Sequence, residues 1–374
     1  MKKILFVTES LDKGGAEKVL YDILRNIDLS KYKIDILLFE NKGIYIEKVE
    51  KLGISVNYIF NERKYLINNI IYRKCKSMII SIIKYFYSYY PFFIKDLRNK
   101  KYDTEIAFLE GHSGILVSNR KNNSKKISWI HTDLLKHRVI NKKSELNAYL
   151  KMDKIICVSE NSKISLLKLY PELINKIEVI FNPIDKENIL KNSQENINLE
   201  KNKINVITIG RLIKIKGYDI LLQAHNKLIK EGLDYNLVIL GEGLERNNLE
   251  KYIKENNLEN KTQLLGFKEN PYPYLKKSDI FISSSRYEGY PLVLCEAICL
   301  EKPIIATNCN GSKEILENGK YGILTEIGNV EDLAKKMKEM ILNKTLRQKY
   351  SNLSKERAEK LDMEKIIKEI INLF

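Results

Sequence analysis

One pattern constrains the fold more than any other. Short apolar runs of strand length alternate with helical patterns, and they do so in two successive series. The first series has runs at 3–8, 33–39, 54–59, 102–109, 126–130, 153–159 and 177–181, with helical patterns at 16–26, 46–52 and 162–170. The second has runs at 204–209, 235–240, 262–265, 279–284, 303–307 and 321–324, with a helical pattern over 216–230 that Gly232 ends. Such alternation predicts a parallel sheet with helices on both faces. Two series predict two doubly wound α/β domains facing each other across a cleft. A chain of 374 residues is also long for one domain. The expected boundaries are a first domain at 1–185, a polar, asparagine-rich linker at 186–203 and a second domain at 204–360. Residues 330–374 read as helical with a break at 361–363, and the segment 361–374 is expected to return to the first domain.

Composition narrows the function. The net charge is +16, with lysine far ahead of arginine. Two readings stand: codon bias, since Lys, Ile and Asn are abundant throughout, or a basic face for an anionic membrane or polyanionic substrate. Basic residues cluster with aromatic ones in 63–101, where Tyr65, Tyr72, Tyr85, Phe86, Tyr87, Tyr89, Tyr90, Phe92 and Phe93 interleave with Arg73, Lys74, Lys76, Lys84 and Lys95. That segment suits peripheral contact with an anionic membrane, or equally a packed helical pair with a lysine-rich exterior. No recognisable nucleic-acid-binding module accompanies the charge, so no nucleic-acid partner is expected. Cys75, Cys157, Cys295, Cys299 and Cys309 show no CxxC spacing and read as reduced residues of a cytosolic protein. Four histidines without metal-ligand spacing predict no metal. The apolar run Ile4–Val7 is too short for a signal peptide, and no run reaches membrane-spanning length.

Chemistry is expected where strands end, because open parallel sheets bind ligands at the carboxyl ends of their strands. The stretch 279–299, DIFISSSRYEGYPLVLCEAIC, reads as strand, glycine turn, helix. Glu288 and Glu296 bracket the turn Gly289-Tyr290-Pro291-Leu292 and can grip vicinal hydroxyls or simply be surface charges. Glu296, among Leu294, Cys295, Ala297 and Ile298, is in a costly place for an unpaired carboxylate. Pro291 fits a first helical position, and the free N–H groups after it can meet a phosphate. Arg211 ends one strand run and Lys216 starts the helix after it. A guanidinium fork and a point cation suit a diphosphate, or solvated surface. Gly14 and Gly15 follow the first strand and open a helix. They read as a close approach to a ligand or as a plain tight turn. His131 follows the strand that carries the one tryptophan, Trp129, and is placed to face the cleft. Two further strand-end candidates are 308–314 (NCNGSKE) and, more weakly, Glu110-Gly111-His112. There is no D-x-D pair, no G-x-x-x-x-G-K-[ST] loop and no G-x-S-x-G motif.

In order and spacing, the segments KGGAE (13–17), VIFNPID (179–185), GRLIKIKG (210–217), LGEG (240–243) and EGYPLVLCE (288–296) resemble glycosyltransferase family 4 enzymes of the GT-B fold. The resemblance spans nearly the whole chain. It implies two Rossmann-like domains, the first binding acceptor and the second the nucleotide-sugar donor. By position, it implies that Arg211 and Lys216 bind the donor diphosphate, stabilising leaving-group charge without a metal or other cofactor. Glu296 would hold the ribose, and Glu288 the transferred sugar with the backbone of Gly289, Tyr290, Pro291 and Leu292 nearby. Gly14 and Gly15 would approach donor phosphates and acceptor, and His131 would lie beside the sugar. The expected activity is retaining transfer of a hexose or N-acetylhexosamine from a UDP-linked donor to a surface glycan or lipid-linked acceptor. Its expected place is the cytoplasmic, inner face of the cell membrane. Rival readings are a nucleotide-sugar epimerase of the same architecture and a non-catalytic nucleotide- or membrane-binding protein. The family often has Phe or Leu where this chain has Tyr290, a change that leaves a backbone role intact.

Overall fold

Seven parallel strands form the first sheet: β1 (Lys2–Thr8), β2 (Tyr32–Glu40), β3 (Ser55–Phe60), β4 (Thr104–Ala107), β5 (Lys125–Ile130), β6 (Lys154–Cys157) and β7 (Ile177–Val179). Six form the second: β8 (Ile204–Ile209), β9 (Tyr235–Leu240), β10 (Thr262–Leu264), β11 (Ile280–Ser283), β12 (Ile304–Thr307) and β13 (Ile323–Thr325). A computed structural model describes residues 1–61, 70–136, 140–200 and 202–374, without the side chains of 70–77. The molecule divides into two units, Met1–Pro183 with Glu364–Phe374, and Ile184–Met363.

Both sheets are doubly wound. The first runs β3-β2-β1-β4-β5-β6-β7 and the second β10-β9-β8-β11-β12-β13. The order reverses between β1 and β4 in one sheet and between β8 and β11 in the other, and each reversal opens a crevice at the carboxyl ends of the two strands. The central strands are apolar on both faces because helices cover both faces. Ile4, Leu5, Phe6 and Val7 are fully buried, as are Leu237, Val238 and Ile239. Phe6 sits between Ile36 and Ile106 in register.

Three stretches differ from expectation. Residues 186–203, read as a linker, open with a helix, Lys186–Asn192, whose first turn the Asp185 carboxylate caps through the Asn188 N–H. Ile189 is buried in the second unit's core. The stretch after β8 does not enter its helix at Lys216: a 3₁₀ turn, Lys214–Lys216, comes first and the α-helix starts at Tyr218. Pro291 is the N-cap of the helix Leu292–Cys299 rather than its first residue. The C-terminal region is three helices, Val330–Leu342, Lys344–Ala358 and Met363–Ile371, the first two separated at Asn343, which caps the second. The last belongs with the first unit. Phe374 packs edge-on against Phe6 and Tyr32, while Lys2 and Lys125 donate to the Phe374 and Leu373 carbonyls at 2.8 Å. Lys2 and Lys125 begin their strands, so the tail closes the amino edge of that sheet and leaves the carboxyl edge to the loops.

Among the described residues no helix is long and apolar enough to cross a membrane. Cys157, Cys295, Cys299 and Cys309 are buried free thiols. Of the aromatic and basic segment, 63–69 and the side chains of 70–77, among them Tyr65, Tyr72, Arg73, Lys74 and Lys76, lie outside the described residues.

Candidate active site

The second unit brings Lys216 and Glu288 together at its switch point. The 3₁₀ turn after β8 places Lys216 Nζ 2.5 Å from Glu288 Oε1, across 72 residues of sequence. Ser285 Oγ donates to the same oxygen at 2.6 Å. Both ionic side chains keep some solvent contact, 21% for lysine and 13% for glutamate. They edge a small hollow that Thr208, Ser283, Ser284 and Val293 also line.

Gly217 makes this approach possible. Its φ is +66°, and a Cβ there would stand 2.1 Å from the Ser284 carbonyl oxygen. Only a residue without Cβ lets the loop after β8 press on the loop after β11 in that conformation. Ser284 Oγ locks the contact by donating to the Lys216 carbonyl at 3.0 Å. A second close approach holds the other side of the turn. Gly311, in the helix Asn310–Ile315 that NCNGSKE supplies, sends its N–H to the Glu288 carbonyl at 3.3 Å, and a Cβ there would meet the Gly289 carbonyl at 2.7 Å. The stretch from Ser284 to Pro291 is thus held by the loop after β8 at its start and by the helix Asn310–Ile315 at its end, before Leu292 enters its own helix.

Arg211 is exposed, and its guanidinium has no ion pair among the described residues. Arg286, by contrast, is consumed by structure: it bonds Asp219 at 2.8 Å through both terminal nitrogens and the Lys214 carbonyl at 2.6 Å. Burial pushes the Asp219 carboxyl up, but the bonds from Arg286 and Lys214 outweigh it and hold the group down at about 2. Tyr218 is buried beneath the site, where burial and the Glu288 charge raise its hydroxyl pKa, and it bonds Thr208.

Glu296 lies one helical turn into Leu292–Cys299, a segment whose Leu294, Cys295, Ala297, Ile298 and Cys299 are all buried. It is 6% exposed and accepts from the Tyr272 hydroxyl at 3.2 Å, so the buried carboxylate is not bare. Tyr290 lies against the same core and bonds the Cys295 thiol, whose pKa burial lifts to about 12.

In the first unit the strand ends carry a different set. Gly14 caps the helix Gly15–Asn26, and the Glu17 carboxylate folds back so closely that a Cβ on Gly14 would meet its oxygen at 1.9 Å. Beside this loop, Lys84 reaches Glu9 at 2.6 Å, just past β1, and Glu40 at 2.7 Å, the last residue of β2. After β4, Glu110 Oε1 accepts from the His131 N–H (3.0 Å), the Thr132 N–H (2.7 Å) and the Thr132 hydroxyl (2.6 Å). That carboxylate shapes the turn after β5. Trp129 is core, 1% exposed. His131 packs on Phe108, with ring centroids 4.8 Å apart, and bonds the Phe108 carbonyl. Burial lowers its pKa to about 4, outweighing the opposing Glu110 charge. The ring is therefore neutral near pH 7, and its Nε2 is buried without a partner among the described residues. A lone pair left bare in this way is an acceptor waiting for a hydroxyl or N–H.

Of the residues singled out in the sequence, Lys216, Glu288 and the turn 289–292 are brought together, with Arg211 on the same loop and Glu296 on the following helix. Gly14, Gly15 and His131 belong to the strand ends of the first unit. Sequence reading missed the supporting groups Ser285, Tyr272 and Glu9, and it read Lys84 as part of the basic, aromatic face, whereas Lys84 is paired inward with Glu9 and Glu40. Glu110, the weaker strand-end candidate, holds the turn that carries His131.

A family model, glycosyl transferases group 1, matches residues 191–357. Over 99% of both chains, 31% of residues are identical to the N-acetylgalactosamine-N,N'-diacetylbacillosaminyl-diphospho-undecaprenol 4-alpha-N-acetylgalactosaminyltransferase of Campylobacter jejuni. The chain belongs to the group 1 glycosyl transferases. Another relative of this glycosyltransferase, the poly(ribitol-phosphate) alpha-N-acetylglucosaminyltransferase of Staphylococcus aureus, is 29% identical over 52% of the chain and 41% of that protein. Among solved structures, Anabaena HepE in complex with UDP and glucose superposes with a TM-score of 0.77 at 21% identity, covering 100% of this chain and 99% of that one. The two doubly wound sheets of this glycosyltransferase are those of the GT-B fold.

Proposed function

We propose that this glycosyltransferase moves a hexose or N-acetylhexosamine from a UDP-linked donor to a lipid-linked or surface-glycan acceptor. In this reading it retains anomeric configuration, uses no metal and works at the inner face of the cell membrane. The observation that carries the reading is the Lys216–Glu288 pair at the switch point of the second sheet. A lysine held there by a carboxylate is a cation that a diphosphate can recruit, and the exposed Arg211 fork adds a second. Together they offset the charge that grows on the departing diphosphate, the task a metal performs elsewhere. Glu288, relieved of Lys216, takes hydroxyls of the transferred sugar, with the backbone of Gly289, Tyr290, Pro291 and Leu292 alongside. Glu296 takes the ribose hydroxyls.

In the first unit, Gly14 and Gly15 approach donor phosphates and acceptor. The neutral His131 offers Nε2 to a sugar hydroxyl. The bond from the sugar's anomeric carbon to the phosphate oxygen breaks, and the acceptor hydroxyl bonds to that carbon on the same face. The leaving phosphate oxygen takes the acceptor's proton, so no protein nucleophile is needed. The names of the Campylobacter and Staphylococcus relatives describe α-N-acetylhexosaminyl transfer, the first to a diphospho-undecaprenol-linked sugar, and support that substrate class. The Anabaena complex supports UDP.

The test is a panel of UDP-sugars with membrane-extracted acceptors, run with and without EDTA, the linkage being read by NMR. The expected product is α-linked and forms equally in EDTA. A β-linked product, or loss of turnover in EDTA, contradicts the mechanism. Epimerised donor forming without acceptor would favour the epimerase reading.

A further inference from the structure

The end of the helix Ile70–Tyr89 and the turn Pro91–Phe93 hold an apolar stripe in solvent. Met78, Ile82, Phe86, Tyr90 and Phe93 recur at steps of three or four along one side, flanked by Tyr85 and Phe92. Each is between 41 and 60% exposed. These seven are a large share of the nineteen exposed large hydrophobic side chains among the described residues, and no other stretch concentrates them so. The rings also touch one another: Phe86 lies 5.4 Å from Tyr90 and 5.6 Å from Phe93, and Phe92 lies 5.9 Å from Phe93. The helix has a separate inner face. Ser88 is buried against His112, and Lys84 is held by Glu9 and Glu40. The outer stripe is therefore surplus to the unit's own packing.

The surrounding charge is one-sided. From 78 to 101 the single acid is Asp96, against Lys84, Lys95, Arg98, Lys100 and Lys101. Lys84 and Lys100 are paired within the unit. Lys95, Arg98 and Lys101 are exposed with no ion pair among the described residues, and Arg98 lies 4.5 Å from the Phe92 ring centroid.

We infer that residues 78–101 seat this glycosyltransferase on an anionic bilayer, with the rings at headgroup level and Lys95, Arg98 and Lys101 toward lipid phosphates. Tyrosine and phenylalanine rimmed by unpaired cations match an interfacial layer. Lys84 ties this helix to Glu9 and Glu40 at the carboxyl ends of β1 and β2, so docking brings the carboxyl edge of the first sheet to the lipid surface. The surface is that of the lipid-linked acceptor, and in that one respect the inference rests on the proposed function.

Co-sedimentation of the full chain with vesicles tests it without donor or acceptor, so its failure is distinct from failure of the transferase reading. The chain is expected to pellet with phosphatidylglycerol-containing vesicles and far less with phosphatidylcholine alone. The triple variant Phe86→Ser/Phe92→Ser/Phe93→Ser should lose partitioning at least about tenfold. A second variant, Lys95→Glu/Arg98→Glu/Lys101→Glu, which leaves every ring in place, should lose about a hundredfold. Unaltered circular dichroism melts would show both variants folded. Equal pelleting of wild type and the charge variant would overturn the proposal. So would a wild type that stays in the supernatant, or a dimer in solution that the serine variant dissolves.

Discussion

At the switch point of the second unit, charge meets charge near the surface: Lys216 grips Glu288, and Arg211 on the same loop is exposed. At the corresponding strand ends of the first unit the charges are occupied with architecture. Lys84 bridges Glu9 and Glu40, and Glu110 fastens the turn after β5. A neutral polar atom, Nε2 of His131, is among those left open there, with Oε1 of Glu9 another. The same doubly wound topology has thus produced one edge suited to a polyanion and another suited to hydroxyls. A lysine–carboxylate pair that keeps contact with water can exchange partners at smaller cost than a fully buried one. A buried carboxylate with three donors is costly to disturb.

If that contrast is right, the largest effect on turnover comes from the second unit. Lys216→Ala and Arg211→Ala should each lower kcat about a hundredfold or more, by analogy with removing one donor to a developing negative charge, with thermal stability nearly unchanged. Steady-state kinetics paired with melting curves would show it. Glu110→Ala should do the reverse and act first on the fold. It strips three hydrogen bonds from a part-buried turn, costing about 3 kcal/mol in urea titrations. Glu110→Gln, which keeps an acceptor, should recover part of that.

Acid stability gives a smaller and more diffuse effect. His225 is fully buried between Tyr235 and Thr262, and burial lowers its pKa to about 4. The unfolded chain takes up this proton near pH 6.5 and the folded one only near 4. The stability tied to the neutral ring is therefore complete above pH 6.5 and is lost as pH falls through 4. The loss is of order 3 kcal/mol. Comparing urea midpoints of wild type and His225→Gln at pH 7 and pH 4.5 isolates it. The finest test is spectroscopic: the His131 ring should titrate near 4 in NMR, so the transfer rate should not follow its protonation between pH 6 and 8. A His131 titrating near 6.5 would break the comparison.

Much of this architecture is legible in the chain. Strands buried on both faces must be apolar throughout, which is why runs such as 4–7 and 237–240 stand out. Glycines at strand ends marked the loops that carry the candidate residues. What was hidden is pairing across the sheet. Nothing local to Lys216 announces Glu288, because β11 lies beside β8 only through the reversal of strand order. Tyr272 could not be matched to Glu296 for a similar reason: the hydrogen bond joins separate helices. The helix Lys186–Asn192 was masked by asparagine-rich composition, although Asp185 just ahead of it is a good N-cap residue. His131 was visible as a position, but its neutrality depends on burial against Phe108, which spacing does not reveal.

The central claim is that the anion is held by the second unit's loops and not by His131. Isothermal titration of UDP into the wild type, Lys216→Ala and His131→Ala tests it most directly. The account predicts that Lys216→Ala weakens UDP at least about tenfold, as loss of a charge-assisted contact should, while His131→Ala binds it as the wild type does. Equal affinity for wild type and Lys216→Ala, or a loss confined to His131→Ala, would contradict it.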